Sequence, residues 1–172
     1  MKSIKVLFTG VLAATLLFNC GGDKKKEEPK EKITLGGSKT EEKKADANVA
    51  ELVLVGDDMM KFNTNELKVK AGQKVKLTLR HKGKMDVNVM GHNVVILNQG
   101  VDLMAFGTKA ATARATKYIP EGSEADIIAH TELIGGGQTT SIEFDAPPAG
   151  TYDFLCSFPG HYALMKGKFI VE

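Results

Sequence analysis

The chain has 172 residues, of which 42 % are hydrophobic and 26 % charged, with a formal net charge of +2. That balance suits one globular domain with short extras, and it excludes the strongly basic surface of a nucleic-acid-binding protein. Residues 1–50 carry 10 Lys and 7 acidic residues, whereas residues 51–172 carry 13 Lys and Arg against 14 acids, so the part that folds is close to neutral and steers a charged partner weakly.

Lys2 and Lys5 precede an apolar run from Val6 to Phe18. The run is too short to span a bilayer and has the flanks of an export signal. It ends in Leu17-Phe18-Asn19-Cys20-Gly21, which is similar to the bacterial lipobox, with Asn19 in place of the usual small residue. We read residues 1–19 as a signal peptide and Cys20 as a lipidation site holding the protein to the bilayer on the periplasmic side. Residues 21–50 hold 15 charged side chains in 30 and few large apolar ones, too few to offset the entropy of ordering. Residues 20–50 therefore read as the lipidated Cys and a flexible tether.

From Glu51 the chain reads as short strands parted by turns. Candidates are 51–56, 66–70, 74–80, 94–97, 126–132, 139–145, 150–156 and 167–172. Lys74 to Arg80 alternates strictly, as a half-buried strand does, and Val94 to Leu97 is a continuous apolar run suited to a central strand. The alternation Tyr152, Phe154, Cys156 places Cys156 at the end of its strand. Turn residues fall between the strands at Ala71-Gly72, Lys82-Gly83, Gly135-Gly136-Gly137 and Pro147-Pro148-Ala149-Gly150. Residues 100–118 are rich in Ala and predict a short helix. The expected fold of residues 51–172 is an eight-stranded all-β Greek-key sandwich with a helical insertion.

The chemistry concentrates in Cys156-Ser157-Phe158-Pro159-Gly160-His161-Tyr162-Ala163-Leu164-Met165. A thiolate, an imidazole and a thioether fall within ten residues. Pro159 and Gly160 allow the loop to turn all three toward one point. This soft donor set suits copper better than magnesium or calcium, and two His, one Cys and a weak Met are the blue-copper set. The loop supplies one His, so the second comes from elsewhere. His92, in Met90-Gly91-His92-Asn93 just before the central strand, is the best candidate; His81 and His130 are alternatives at strand ends.

Four segments, GDDMMKFNTN (56–65), NVMGHNVV (88–95), IAHTELIGGG (128–137) and CSFPGHYALMKG (156–167), resemble the azurins, bacterial blue-copper proteins of the cupredoxin family. The resemblance implies one type 1 copper ion shuttling single electrons, with His92, Cys156 and His161 as equatorial ligands, Met165 as a long axial ligand and the Gly91 carbonyl as a weak one opposite. It implies that Asn93 and the Phe158 amide support the site. It implies a docking rim of Met60, Met85, Val89, Met90, Phe158, Pro159 and Ala163 around the His161 edge, where a c-type cytochrome, a peroxidase or an oxidase would meet the protein. His81 corresponds to a histidine near the site and His130 to one on the surface, both non-ligating. Two features depart from the family: no Cys is present to make its disulfide, and its core Trp is absent, with Val94 beside the ligand motif. A metal storage or delivery protein is the second reading. A copper enzyme ranks last, because the protein fills every coordination position.

Overall fold

The computed structural model describes residues 48–172. The signal peptide, Cys20 and almost all of the tether lie outside the described residues. Eight strands run in chain order: β1 (Val49–Gly56), β2 (Glu66–Val69), β3 (Lys74–His81), β4 (Val95–Leu97), β5 (Ile127–His130), β6 (Thr139–Asp145), β7 (Gly150–Leu155) and β8 (Lys166–Val171). They form a three-stranded sheet, β1-β3-β6, and a five-stranded sheet, β2-β8-β7-β4-β5. The pairs β1–β3 and β2–β8 are parallel and the rest antiparallel. This is the expected cupredoxin-type sandwich.

Alternation sets which face is inside. In β3, Val75, Leu77 and Leu79 point inward, and Leu52 and Leu54 of β1 lie opposite Leu77 and Leu79. They pack against Leu67, Val94, Ile96, Tyr152, Phe154 and Phe169 of the other sheet. Val94, beside His92-Asn93, is fully buried in this core.

The continuous apolar run of β4 has a simple cause. Val94 and Ile96 face the sandwich core, while Val95 and Leu97 face, on the outer side, Phe106 and Ala110 of helix α2 (Leu103–Ala110), the second helix after the single-turn α1 (Val87–Met90). A strand covered on both faces has no polar side to show. Asp102 caps α2 by accepting from the amides of Met104 and Ala105 at 2.8 and 3.0 Å.

Several boundaries differ from the sequence expectation. β1 begins at Val49, inside the segment read as tether, because Val49 and Ala50 pair in parallel with Lys74 and Val75. β5 ends at His130, not at residue 132. The helix expected over 100–118 occupies only 103–110; a 3-10 turn at Arg114–Thr116 follows, then left-handed Lys117 and Tyr118. β7 stops at Leu155, so Cys156 lies one residue past it. A single helical turn at Val87–Met90 was not anticipated.

Candidate metal centre

The ends of β1, β3 and β7 and the starts of β4, β6 and β8 share one end of the sandwich, and the loops there build the site. The loop after β7 is closed by its own backbone. Cys156 N donates to Met165 O at 2.8 Å, Met165 N to His161 O at 2.7 Å, and His161 N to Phe158 O at 3.0 Å. Gly160, at φ 80°, makes the turn that an L side chain resists. This winding leaves Cys156, His161 and Met165 buried.

His92 arrives from the opposite side. Its backbone exchanges two hydrogen bonds with Ile134, each 2.9 Å. Gly91, which ends the Val87–Met90 turn, has no room for a Cβ: one would stand 2.5 Å from Val87 O and 3.0 Å from the Phe158 ring. Asn93 then joins the two ligand segments. Its Oδ1 accepts from Ser157 N at 2.9 Å and its Nδ2 donates to Ser157 Oγ at 2.8 Å.

Among the described residues, His92, Cys156 and His161 are the one group of acidic, His or Cys side chains placed to share a metal, with their donor atoms within 4.8 Å of one another. Cys156 Sγ is 3.6 Å from His161 Nδ1, 4.0 Å from His92 Nδ1 and 3.8 Å from the Gly91 carbonyl. Atoms bonded to one ion at about 2.0–2.3 Å stand about 3.5–4 Å apart, so the spacing fits a single ion. Met165 is fully buried in the same cluster as Cys156 and Phe158.

The protonation states favour a cation. His92 has both ring nitrogens 2.9 Å from a carbonyl, Nε2 facing Asp57 O and Nδ1 facing Gly91 O. Desolvation lowers its pKa, so near neutral pH it carries one N–H and can serve one carbonyl only. With Nε2 donating to Asp57, the Nδ1 lone pair faces the Gly91 oxygen, a repulsive pairing that an ion between them relieves. His161 is pushed down to about 4, first by desolvation and then by the neighbouring His92 and His81. Burial pushes the Cys156 thiol up to about 11, partly opposed by the amides of Asn93 and Phe158 directed at its sulfur. Neutral imidazoles and a buried thiol with amide donors form a soft site that suits one copper ion.

The rival histidines are placed elsewhere. His81 is buried but stacks on His92, with ring centroids 4.2 Å apart and an interplanar angle of 15°. Its nitrogens are engaged, Nδ1 accepting from Gly83 N at 3.0 Å and Nε2 donating to Met90 O at 2.8 Å. It packs on a member of the metal-site group and is not part of that group. His130 is exposed at the end of β5, outside the cluster.

Of the rim residues, Met85, Val89 and Ala163 are exposed, Met60, Met90 and Pro159 half-buried, and Phe158 buried against Tyr118 and His161. Sequence reasoning missed Met59 and Leu164, which are 66 % and 65 % exposed and belong to the same loops. The doubled Met59-Met60 was the available signal.

A family model described as copper binding proteins, plastocyanin/azurin family, matches residues 49–172. Azurin-1 of Alcaligenes xylosoxydans xylosoxydans is 40 % identical over 118 residues, covering 66 % of this chain and 91 % of its own. The azurin of Pseudomonas aeruginosa is 40 % identical over 121 residues, covering 68 % and 81 %. Among solved structures, auracyanin A, a blue copper protein of Chloroflexus aurantiacus, aligns with a TM-score of 0.65 and 30 % identity, covering 72 % of this chain and 99 % of that one.

Proposed function

The chain belongs to the plastocyanin/azurin family of copper-binding proteins, and we propose that it is an electron carrier, exported and held to a membrane by lipid on Cys20. One observation carries the electron-carrier reading: two neutral imidazoles, a thiol and a thioether converge in a pocket with every donor 0–2 % exposed. The bound copper supplies the change between Cu(I) and Cu(II). The protein's own groups do the rest. Cys156 gives the thiolate, and the Asn93 and Phe158 amides stabilise its negative charge. Asp57 and His81 fix the His92 ring. The Asn93–Ser157 bonds hold the two ligand segments in register. A site with no open position excludes substrate, which separates a carrier from an enzyme.

Met59, Met60, Met85, Val89, Pro159, Ala163 and Leu164 form the surface where a redox partner docks, and a small apolar contact suits a brief encounter. The partner classes this surface would serve are a c-type cytochrome, a peroxidase or an oxidase. Complete burial of the donors also argues against a delivery protein, which must release its ion readily.

The test is the copper-loaded protein's absorption and EPR spectra, followed by stopped-flow oxidation by a cytochrome. An intense blue band that is lost in Cys156→Ser and bleached by reductant through many cycles supports the reading. Loss of copper to a competing apoprotein without turnover overturns it. Cys20→Ala tests the anchor: the protein moves from the membrane to the soluble fraction if lipid on Cys20 holds it, and stays if not.

A further inference from the structure

His92, Cys156 and Met165 expose none of their surface and His161 exposes 2 %, so a metal ion reaches them only through a shell of other residues. On the His92 side the loops carry four methionines. Met59 and Met60 lie in the turn after β1, Met85 just precedes the Val87–Met90 turn, and Met90 ends it. They grade inward: Met59 is 66 % and Met85 45 % exposed, Met60 and Met90 are half-buried, and Met60 packs on the cluster that holds Cys156 and Met165.

Hydrogen bonds tie these loops to one another and to His92. The Asp58 carboxylate accepts from the amides of Lys84 and Met85 at 2.8 and 3.3 Å, tying the two loops together. Asp57 O accepts both Met60 N at 3.2 Å and His92 Nε2 at 2.9 Å. Met90 O accepts from the His81 ring that stacks on His92. Isolated exposed methionines are ordinary. Here two exposed and two half-buried ones stand on loops bonded to each other and to His92. Uncharged thioethers are soft, select Cu(I), and sit on flexible chains that exchange partners easily.

We propose that Met59, Met60, Met85 and Met90 form a landing site for Cu(I), from which the ion passes to the buried centre. The proposal rests on the copper reading of that centre. Transfer exchanges thioether donors for imidazole and the Cys156 thiolate; the thiol proton leaves to water and no electron moves.

The test uses the full chain in two forms. In Cys156→Ser, which lacks the buried thiolate, methionine methyls are labelled with carbon-13 and titrated with Ag(I), a closed-shell substitute for Cu(I). The methyls of Met59, Met60, Met85 and Met90 are expected to shift, while Met104, 46 % exposed on α2, stays in place as the isolated control. In the otherwise native protein, Met59→Leu/Met85→Leu changes little volume. With Cu(I) supplied as its acetonitrile complex and blue colour developed by later oxidation, loading is expected to slow several-fold, and loading with Cu(II) to keep its rate. No Ag(I) shift, a Met104 shift as large as the others, or equal Cu(I) loading rates overturns the proposal. If the native protein also stays colourless at the end point, the copper reading itself falls.

Discussion

Copper uptake by the apoprotein should release one proton per ion over a wide pH range. The Cys156 thiol titrates at about 11, while desolvation keeps His161 down at about 4 and lowers His92. Near neutrality the metal-free site therefore holds one removable proton, on sulfur. Forming the thiolate at pH 7 costs about 5 kcal/mol, four pH units at about 1.4 kcal/mol each, and this cost is part of every measured affinity. Because the proton is a product, the apparent affinity rises about tenfold per pH unit between about pH 6 and 9. The slope steepens in acid, where His92 and then His161, at about 4, begin to compete for their own protons. Calorimetric titration in two buffers of different ionisation enthalpy counts the protons directly. No proton released would mean that the thiolate is already ionised without metal. Two would mean that an imidazole is charged. Either result refutes the desolvation argument. The same thiol predicts a loss of apoprotein stability in alkali. Its folded value, about 11, lies above the ordinary 9.0. The stabilisation is thus complete below pH 9 and lost as pH rises through 11, by about 3 kcal/mol for two units.

Three substitutions test the scaffold. A Cβ at Gly56 would stand 2.6 Å from His92 Cδ2, a ring already held by Asp57 and His81, so Gly56→Ala should displace the ligand, cost about 1–3 kcal/mol, and change the EPR signal of the copper form; an unchanged spectrum would show that the ring is not so confined. Asn93→Ala leaves the buried Ser157 amide without its acceptor and should lower apoprotein stability in urea by about 2–4 kcal/mol; a loss below about 1 kcal/mol would mean that the two ligand segments do not depend on this clamp. Tyr152→Phe removes the 2.7 Å bond from its hydroxyl to Pro148 O at the far end of the sandwich, and about 1–2 kcal/mol of stability with it, while the visible spectrum stays the same. A spectral change in that variant would show that the two ends of the sandwich are coupled.

The strands were legible where one face is buried, since alternation in β3 and the unbroken run before Leu97 follow directly from burial on one side or two. Features set by partners distant in sequence were not. Nothing within Asn48–Glu51 marks a strand start; Val49 is ordered by Lys74, across the sheet. The Val87–Met90 turn has no apolar periodicity and depends on Asp86 accepting from Asn88 N at 2.8 Å. Cys156, His161 and Met165 were readable from spacing because one loop carries them all. The second histidine was not settled by spacing, because three candidates lie at comparable points in the chain. What separates them is the destination of the ring nitrogens, with His81 engaged on both by Gly83 and Met90, and His92 turning Nδ1 into the site, 2.9 Å from the Gly91 carbonyl and 4.0 Å from the Cys156 sulfur.

That difference shows why the site stands ready without metal. Each donor is oriented by a bond that does not involve the ion: His92 by Asp57, Cys156 by the backbone of Met165, Met165 by the backbone of His161, and His161 by Phe158. Among the described residues, every buried side-chain nitrogen and oxygen has a polar neighbour at hydrogen-bond distance, but for His92 Nδ1 and His161 Nδ1 that neighbour is the Gly91 carbonyl or the Cys156 sulfur, inside the site itself. The site's cluster is also continuous with the main core, since Phe62 packs on both and lies 5.9 Å, centroid to centroid, from Phe154. A donor that moved when copper changed charge would have to break a backbone hydrogen bond or open the packed core, at a cost of about 1 kcal/mol or more for each bond lost. The protein therefore sets the coordination geometry, and both charge states of the ion must accept it. That constraint keeps structural change small during electron transfer, and it follows from how the loops are tied at one end of the sandwich.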